Sequence, residues 1–277
     1  DLLGGNKAFL FFIDLQRQDV DIINEKLNLG DILIFNHTNP LEKNSSSFKY
    51  INPFFYGIDG TKQISTAGIV YLFVRSLNKK NLDLHYLSIL GALSAEQNCA
   101  NKKKFLGQNA DFLNLAQKDA KIHTEVNLAV SRILPIDKAI AFTLPISLPP
   151  ISKNLDESRK FLKKLNIRRM NDLNEPRTLE DLSKRERKTL MNNLVQLAKN
   201  KSESDFALLL KNILQTYYIF TEFEGKPIYS DGYELIKVLR DFLKNKREDT
   251  IIGALLGDEN SQKEIMMKSN SDLNQTN

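Results

Sequence analysis

Two side chains that could hold a metal ion follow apolar runs near the start of the chain. Asp14 comes directly after the run at residues 7–13, and His37 lies two residues after the run at 31–35. Such continuous apolar runs are typical of strands buried on both faces, with the segment between them forming a crossover helix. Polar residues at the carboxyl ends of parallel strands face the ligand crevice. Asp14 and His37 are therefore candidate ligands of a divalent cation.

Residue type alone leaves a structural alternative open for each of these side chains. Asp14 also suits a turn or a helix N-cap, and His37 fits a hydrogen-bonded loop histidine equally well. A binuclear centre for phosphodiester hydrolysis needs several carboxylates and imidazoles around cations ~3.5 to 4 Å apart. The remaining histidines are predicted to be structural (His85) and solvated (His123).

The composition indicates a globular protein. The 277 residues include 39 Lys and Arg against 34 Asp and Glu, a net charge of +5 that permits an anionic partner without requiring one. A single cysteine and the lack of a membrane-length apolar run predict a soluble, cytoplasmic protein. The chain begins with Asp1 and lacks a signal-peptide pattern, so we expect a further segment upstream. P-loop, dinucleotide-binding, nucleophile-elbow and zinc-ribbon motifs are absent from the sequence.

Turns and prolines divide the chain into two parts. Residues 39–60 are rich in turn signals, and helices are predicted to begin at Ser65 and after Asp83. Four prolines between positions 135 and 150 predict a semi-rigid linker. The other predicted elements are helices over 105–115, 155–165 and 233–243, a capping box from Ser183 to Glu186, strands over 216–222 and 250–256, either a helix or a strand over 126–133, and a disordered tail over 259–277.

Two adjacent segments resemble a known family. Residues 52–60 read Asn-Pro-Phe-Phe-Tyr-Gly-Ile-Asp-Gly, and residues 64–72 read Ile-Ser-Thr-Ala-Gly-Ile-Val-Tyr-Leu. They are similar to the N-P-x-x-x-G-I-D-G and I-S-G-A-G-V-A-Y-L motifs of archaeal RecJ-like proteins in the DHH phosphoesterase superfamily. That lineage includes single-strand-specific 5′ to 3′ exonucleases and the eukaryotic replicative-helicase cofactor related to RecJ. The residues that carry the match are Asn52, Pro53, Gly57, Asp59, Gly60, Ser65 and Gly68.

The resemblance implies an α/β fold built from two domains. A parallel-sheet DHH-type domain is expected over residues 1–134, and it is partial because the family's first metal motif is absent from this chain. The proline-rich linker then spans 135–152. A helical connector and a smaller, mixed α/β DHH-associated domain are expected over 153–258, followed by the tail at 259–277.

Most of the metal ligands that the resemblance implies are replaced in this chain. Asn36, His37 and Thr38 stand where the family carries Asp-His-His, and Ala95 stands where it carries a further ligand Asp. Asp14 matches the strand-end Asp of another motif, so Asp14 and His37 are the two implied ligands that remain. Neutral Asn and Thr bind manganese and magnesium poorly. We therefore expect no cofactor, with manganese or magnesium as the alternative.

The resemblance implies a catalytically inactive scaffold in DNA replication, with GINS and the replicative helicase as partners. Lys244, Lys246 and Arg247 are candidate contacts for single-stranded DNA, although cations at a helix end also suit the helix dipole. The alternative is a divergent manganese-dependent single-strand 5′ to 3′ exonuclease or phosphoesterase whose upstream segment restores ligands. A third hypothesis is a single-strand binding module that stacks bases on the aromatic triplet 54–56, which is more often a packing feature.

Overall fold

Two units make up the chain, residues 1–123 and residues 124–277. The division falls before the proline-rich segment rather than within it. No helix in the described ranges is long and apolar enough to cross a membrane. The predicted crossover helix lies outside the described residues except for Asp19 and Ile22, which are helical. The computed structural model describes residues 10–15, 19, 22, 32–40, 49–98, 104–199, 212–221 and 231–265.

The first unit contains a parallel three-stranded sheet. Its strands are β1 (Leu10–Ile13), β2 (Ile32–Phe35) and β3 (Lys49–Ile51), in the spatial order β1-β2-β3. Ile34 and Phe35 of the central strand are almost completely buried. The parallel pairing of β1 and β2 confirms the prediction. Strand β3 was not predicted, because its three residues lie within a stretch dominated by turn signals.

Helices α1 (Thr66–Leu77), α2 (His85–Ser94) and α3 (Gly107–Lys118) accompany this sheet, with short 3-10 helices at Pro53–Tyr56 and Lys79–Leu84. Ser65 caps α1 as predicted, because its hydroxyl accepts a hydrogen bond from the Gly68 N–H at 3.2 Å. The predicted cap at Asp83 is wrong. The 3-10 helix occupies that position instead, and α2 begins without a side-chain cap.

Small residues let α1 and α2 approach closely. A Cβ atom added at Gly91 would lie 2.3 Å from the Cβ of Ala67, and one added at Gly68 would meet the ring of Phe112 at 3.0 Å. The first separation is too short for a real Cβ contact, and the second is tight enough that the Phe112 ring would have to shift. Close helix packing therefore explains Gly91 and favours glycine at position 68.

The second unit has its own hydrophobic core. Several helices and the end of one strand of a two-stranded sheet contribute residues to it. Leu128, Ile136, Ile140, Leu162 and Leu190 are almost fully buried in this core. The capping box from Ser183 to Glu186 is confirmed, since the Ser183 hydroxyl accepts from the Glu186 N–H and donates to its carboxylate. The elements are β4 (Ile122–Leu128), α4 (Ile136–Thr143), α5 (Leu155–Lys164), α6 (Lys184–Lys199), β5 (Leu214–Phe220), α7 (Gly232–Lys244) and α8 (Glu248–Leu255).

Three predictions for this unit need correction: the linker, the last strand and the start of the disordered tail. Residues 135–152 are not a simple linker, because α4 lies there and Leu148 and Ile151 are buried in the core. Residues 250–256 form most of α8 rather than a strand. Thr250, Ile251 and Ala254 are buried while Ile252 is exposed, which is helical rather than alternating spacing.

The predicted disordered tail also begins too early. Residues 259–265 are helical, and Ile265 at the end of that stretch is buried. Ile265 is visible in the sequence as an apolar residue, but the polar residues around it favoured the prediction of disorder. Residues 266–277 lie outside the described residues.

Replacing Gly91 with Ala tests the close contact between α1 and α2. We expect Gly91→Ala to lower the free energy of unfolding by about 1 to 3 kcal/mol, because the added methyl overlaps Ala67. The gain in helix propensity, about 1 kcal/mol, has the opposite sign. The double variant Gly91→Ala/Ala67→Gly should be more stable than the sum of the single variants predicts. Urea denaturation measures all three, and a stabilised Gly91→Ala or strict additivity would contradict the contact.

Candidate functional site

Asp14 and His37 lie together at the carboxyl end of the parallel sheet, as the sequence predicts. Asp14 follows β1, and its backbone N–H donates to the Phe35 carbonyl at the end of β2 at 2.8 Å. Its φ of 65° is left-handed, which Asp tolerates better than most residues. His37 Nδ1 lies 3.4 Å from Asp14 Oδ1. The imidazole side chain is 17% exposed and the carboxylate 58%.

Thr66, at the start of α1, joins the two candidate ligands. Its hydroxyl donates to Asp14 Oδ1 at 2.7 Å and lies 2.7 Å from His37 Nδ1. A hydroxyl has one hydrogen, so His37 Nδ1 must carry the proton of the second bond and donate it to Thr66. The imidazole nitrogen on this side is therefore a donor and not a metal ligand.

The same contacts hold Asp14 in its ionised form. The hydrogen bond from His37 keeps the pKa of the Asp14 carboxyl below its ordinary value, and the Thr66 hydroxyl adds to this effect against partial burial. Asp14 is thus a carboxylate at neutral pH. Both contacts are made to Asp14 Oδ1, one by the Thr66 hydroxyl and one by the His37 imidazole.

Asn36 and Thr38 form a closed hydrogen-bond network. The Asn36 side chain is fully buried, and its Nδ2 donates to the Leu15 carbonyl at 3.0 Å. Its Oδ1 accepts from both the N–H and the hydroxyl of Thr38, each at 2.7 Å. An ionised aspartate at position 36 could not donate to Leu15. The neutral amide therefore suits these contacts better than the anionic ligand that the resemblance implies at this position.

The Asn-Pro-x-x-x-Gly-Ile-Asp-Gly segment supports this network from the other side. Buried Asn52 donates from Nδ2 to the Thr38 carbonyl at 2.8 Å and caps the following 3-10 helix through its Oδ1. Pro53 opens that helix, and Gly57 ends it with a φ of 73°. A Cβ atom at Gly60 would lie only 2.0 Å from the His37 carbonyl oxygen, so only glycine fits there.

The polar residues around Gly60 fix the turn that contacts His37. Asp59 accepts from the Thr61 N–H at 2.9 Å and from Lys62 Nζ at 2.9 Å. Gln97, two residues after Ala95, donates from its side-chain amide to the Gly60 carbonyl at 2.7 Å. Its own carbonyl accepts from Asn109 Nδ2 at 2.6 Å. Gln97 thus has a structural role in positioning the turn.

Ala95 terminates a helix rather than extending a ligand set. Its N–H donates to the Gly91 carbonyl at 3.0 Å at the end of α2. The neighbouring Glu96 side chain is exposed, and its φ is 55°. Because alanine offers no donor atom, the position contributes no ligand.

These residues do not fit a pair of divalent cations. Asp14 is the one carboxylate that the described residues bring to this cluster, and the side-chain oxygen atoms of Asn36 and Thr38 are already joined in a hydrogen bond. In the ranges that the structure describes, no three His, Cys, Asp or Glu side chains group closely enough to hold a metal ion. A two-metal hydrolytic centre needs more anionic ligands than this arrangement offers.

The three predicted nucleic-acid contacts differ in environment. Lys244 ends α7 and Lys246 follows it with a φ of 55°, and both are exposed. Arg247 instead forms a two-point ion pair with Glu264, at 2.6 and 2.9 Å, and donates to Thr250 at 2.7 Å. Arg247 thus holds the helical residues 259–265 and is a poor candidate for phosphate contact.

The sequence interpretation missed Thr66. The signal was present, because Thr66 stands where the similar family motif I-S-G-A-G has its first Gly. A glycine leaves space at that point, whereas a threonine places a hydroxyl between Asp14 and His37. The substitution therefore closes the space between the two remaining candidate ligands.

Comparison with known proteins finds distant similarity. No family model matches the chain. An uncharacterized protein of Methanocaldococcus jannaschii, MJ0831, is 27% identical over 168 residues, which is 58% of this chain. The chain thus spans about a third of that curated relative's length, since the match covers 36% of it.

The variant Asn36→Asp tests whether the network requires an amide. We expect it to lose at least about 2 kcal/mol of unfolding free energy at pH 7, because a buried carboxylate would face the Leu15 carbonyl. Burial would raise the pKa of the new carboxyl, so the folded state binds the proton more tightly and the deficit shrinks as the pH falls. Exposed Asn39→Asp is the control and should change stability by less than about 0.5 kcal/mol. Equal stability of the two variants in urea denaturation would contradict the network.

The variant Thr66→Val tests the bridge between Asp14 and His37. Loss of the hydroxyl should raise the pKa of Asp14 toward its ordinary value, which a carboxyl-detected NMR titration measures. A lowered pKa stabilises the fold above the unfolded-state value and stops doing so as the pH falls through the folded one, so the stability loss should disappear in acid. Thr61→Val is the control, because it should raise the pKa of Asp59 alone. An unchanged Asp14 titration would rule out the bridge.

Proposed function

We propose that this chain is a RecJ-like protein of the DHH superfamily whose nuclease centre is inactive and whose fold serves as a scaffold in DNA replication. The partners we propose are GINS and the replicative helicase, with single-stranded DNA as a further ligand, in the cytoplasm. The observation that carries the proposal is the neutral hydrogen-bond network of Asn36 and Thr38, in positions where the resemblance implies metal ligands.

The chemistry of the site supports inactivity in two ways. The Asn36 amide donates to the Leu15 carbonyl, so it links the segments that follow β1 and β2 instead of binding a cation. Thr66 donates to Asp14 Oδ1, so this carboxylate oxygen is already engaged by a protein hydrogen bond. Within the described residues, one carboxylate beside neutral Asn36 and Thr38 offers fewer anionic ligands than a two-metal centre for phosphodiester hydrolysis needs.

The residues that match the family motif support retention of the fold. Asn52, Gly60 and Gln97 all make contacts that shape the segment around His37. Gly68 packs against Phe112 and not against any ligand position. Residues with packing roles thus match the motif, while most of the implied metal ligands, all but Asp14 and His37, are replaced. That combination is expected when other macromolecules use the folded surface but the reaction has been lost.

A nuclease assay tests the proposal. We expect the intact chain to leave 5′-labelled and 3′-labelled single-stranded DNA undegraded in the presence of Mn²⁺ or Mg²⁺. The matched control is His37→Ala purified in the same way, which sets the background from contaminating nucleases. Degradation by the wild-type chain that His37→Ala abolishes would establish the alternative, a divergent single-strand exonuclease or phosphoesterase.

A second arm of the same experiment separates a scaffold from a lone DNA-binding module. We expect the intact chain to bind purified archaeal GINS in surface plasmon resonance. Lys244→Gln/Lys246→Gln, which changes two exposed lysines, should retain this binding. Binding of single-stranded DNA without any binding of GINS would contradict the scaffold proposal.

A further inference from the structure

A basic cavity opens on the second unit, outside the candidate site. Its volume is about 610 Å³, and it lies between the end of α5 and the loop that follows that helix. Its lining includes no acidic residue, and its two uncharged members are Asn166 and Ile167. The positively charged lining residues are Arg159, Lys160, Lys163, Arg168 and Arg169.

A single buried carboxylate holds two of these arginines in place. Asp137 Oδ2 accepts from Arg159 Nε and from Arg169 Nη1, each at 3.0 Å. Burial raises the pKa of Asp137, but the hydrogen bonds from Arg159 and Arg169 outweigh it and keep the pKa below the ordinary value. Arg159 Nη1 also lies 3.5 Å from Asp156 Oδ1, but that carboxylate is 82% exposed, so Asp137 is the buried charge that the two guanidinium groups share. Each guanidinium has five N–H donors and commits only one of them to Asp137, so the pair retains positive charge and donor capacity.

The loop that carries Arg168 and Arg169 is itself anchored. Arg177 donates to the Arg168 carbonyl at 3.0 Å, and its backbone N–H donates to the Arg169 carbonyl at 2.7 Å. The same guanidinium forms a two-point pair with Glu186 at 2.9 Å for each contact. The hydrogen bond from Arg177 lowers the pKa of Glu186 to about 2, so this ion pair persists at every physiological pH. The cavity thus has a preorganised wall and is more than a group of mobile surface cations.

The acidic residues near the cavity compensate its charge incompletely. Lys160 pairs with Glu157 at 2.7 Å and Arg168 pairs with Asp172 at 2.8 Å, but both cations are more than two-thirds exposed. Exposed pairs of this kind are weak, so an incoming anion can replace them. Lys163 makes no ion pair with any part of the chain that the structure describes. The negative end of the α5 dipole also faces this region, but the N–H groups of residues 165–167 already cap its last carbonyls.

We propose that this cavity binds phosphate groups, at least two at a time. Arginine forks held on a shared carboxylate, with a lysine beside them, match the several oxygens of neighbouring phosphates. The volume suits a ligand of that size. The phosphates belong either to a free polyphosphate anion or to the backbone of a single-stranded nucleic acid. The proposal goes beyond the scaffold function, because it does not depend on whether the Asp14 cluster is catalytic.

Titrations with two phosphate probes test the proposal on the intact chain. Inorganic triphosphate is titrated by calorimetry, and a fluorescent dT12 oligonucleotide by anisotropy, both at about 50 mM salt. We expect Lys163→Gln/Arg168→Gln to weaken binding of at least one probe by about tenfold or more. If the oligonucleotide is the ligand, the slope of log K against log salt should fall by about 0.7 for each phosphate contact that is lost.

The control is Lys164→Gln, which removes the same charge from the adjacent position on α5. Lys164 is exposed and does not line the cavity, so affinity should change by less than about twofold. Binding of triphosphate alone would identify a small-anion site, and binding of dT12 alone would identify a backbone site. Wild-type protein that binds neither probe, or equal losses in Lys164→Gln and in the double variant, would overturn the proposal. Poly-glutamate that competes as well as either phosphate probe would overturn it too, because the cavity would then select charge and not phosphate.

Discussion

The buried Asn36 carboxamide is the interaction on which the candidate site depends. It donates to the Leu15 carbonyl after β1 and accepts from Thr38 after β2, while the Thr38 carbonyl accepts from Asn52 after β3. The Asn36 side chain, directly and through Thr38, therefore connects the segments that follow all three described strands of the sheet. Buried polar groups are costly unless they are paired, so this network favours a single arrangement of the loops.

This linkage has a chemical consequence for the cluster beside it. Because the loop after β2 is held by neutral hydrogen bonds, His37 is positioned without any help from a cation. Thr66 then occupies the space between His37 and Asp14 and orients the imidazole by accepting its Nδ1–H. In the described residues, protein hydrogen bonds thus fix the positions of both His37 and Asp14. Our proposal of an inactive centre rests on this arrangement.

The sequence predicts the elements whose signals are local. The parallel pair β1 and β2, the Ser65 cap and the Ser183–Glu186 capping box all follow from residues within a few positions of one another. The nearness of Asp14 and His37 followed from strand order alone. Strand β3 and helix α8 were not predicted because tertiary packing decided them, as the helical burial of Thr250, Ile251 and Ala254 shows. Thr66 was missed for the same reason, since its partners lie 52 and 29 residues away in sequence.

The distribution of charge constrains where a phosphate ligand can bind in this chain. At the sheet end, the ionised and half-exposed Asp14 carries a negative charge, which by itself disfavours a phosphodiester. In the second unit, one carboxylate serves two arginines and the remaining donors are left for an anion. Active metal-dependent nucleases combine phosphate binding and cleavage by placing cations between carboxylates and substrate. Under our two proposals these tasks are separated in this chain, because the positive charge of the cavity on the second unit is carried by arginine and lysine, which attract phosphate and provide no nucleophile to cleave it.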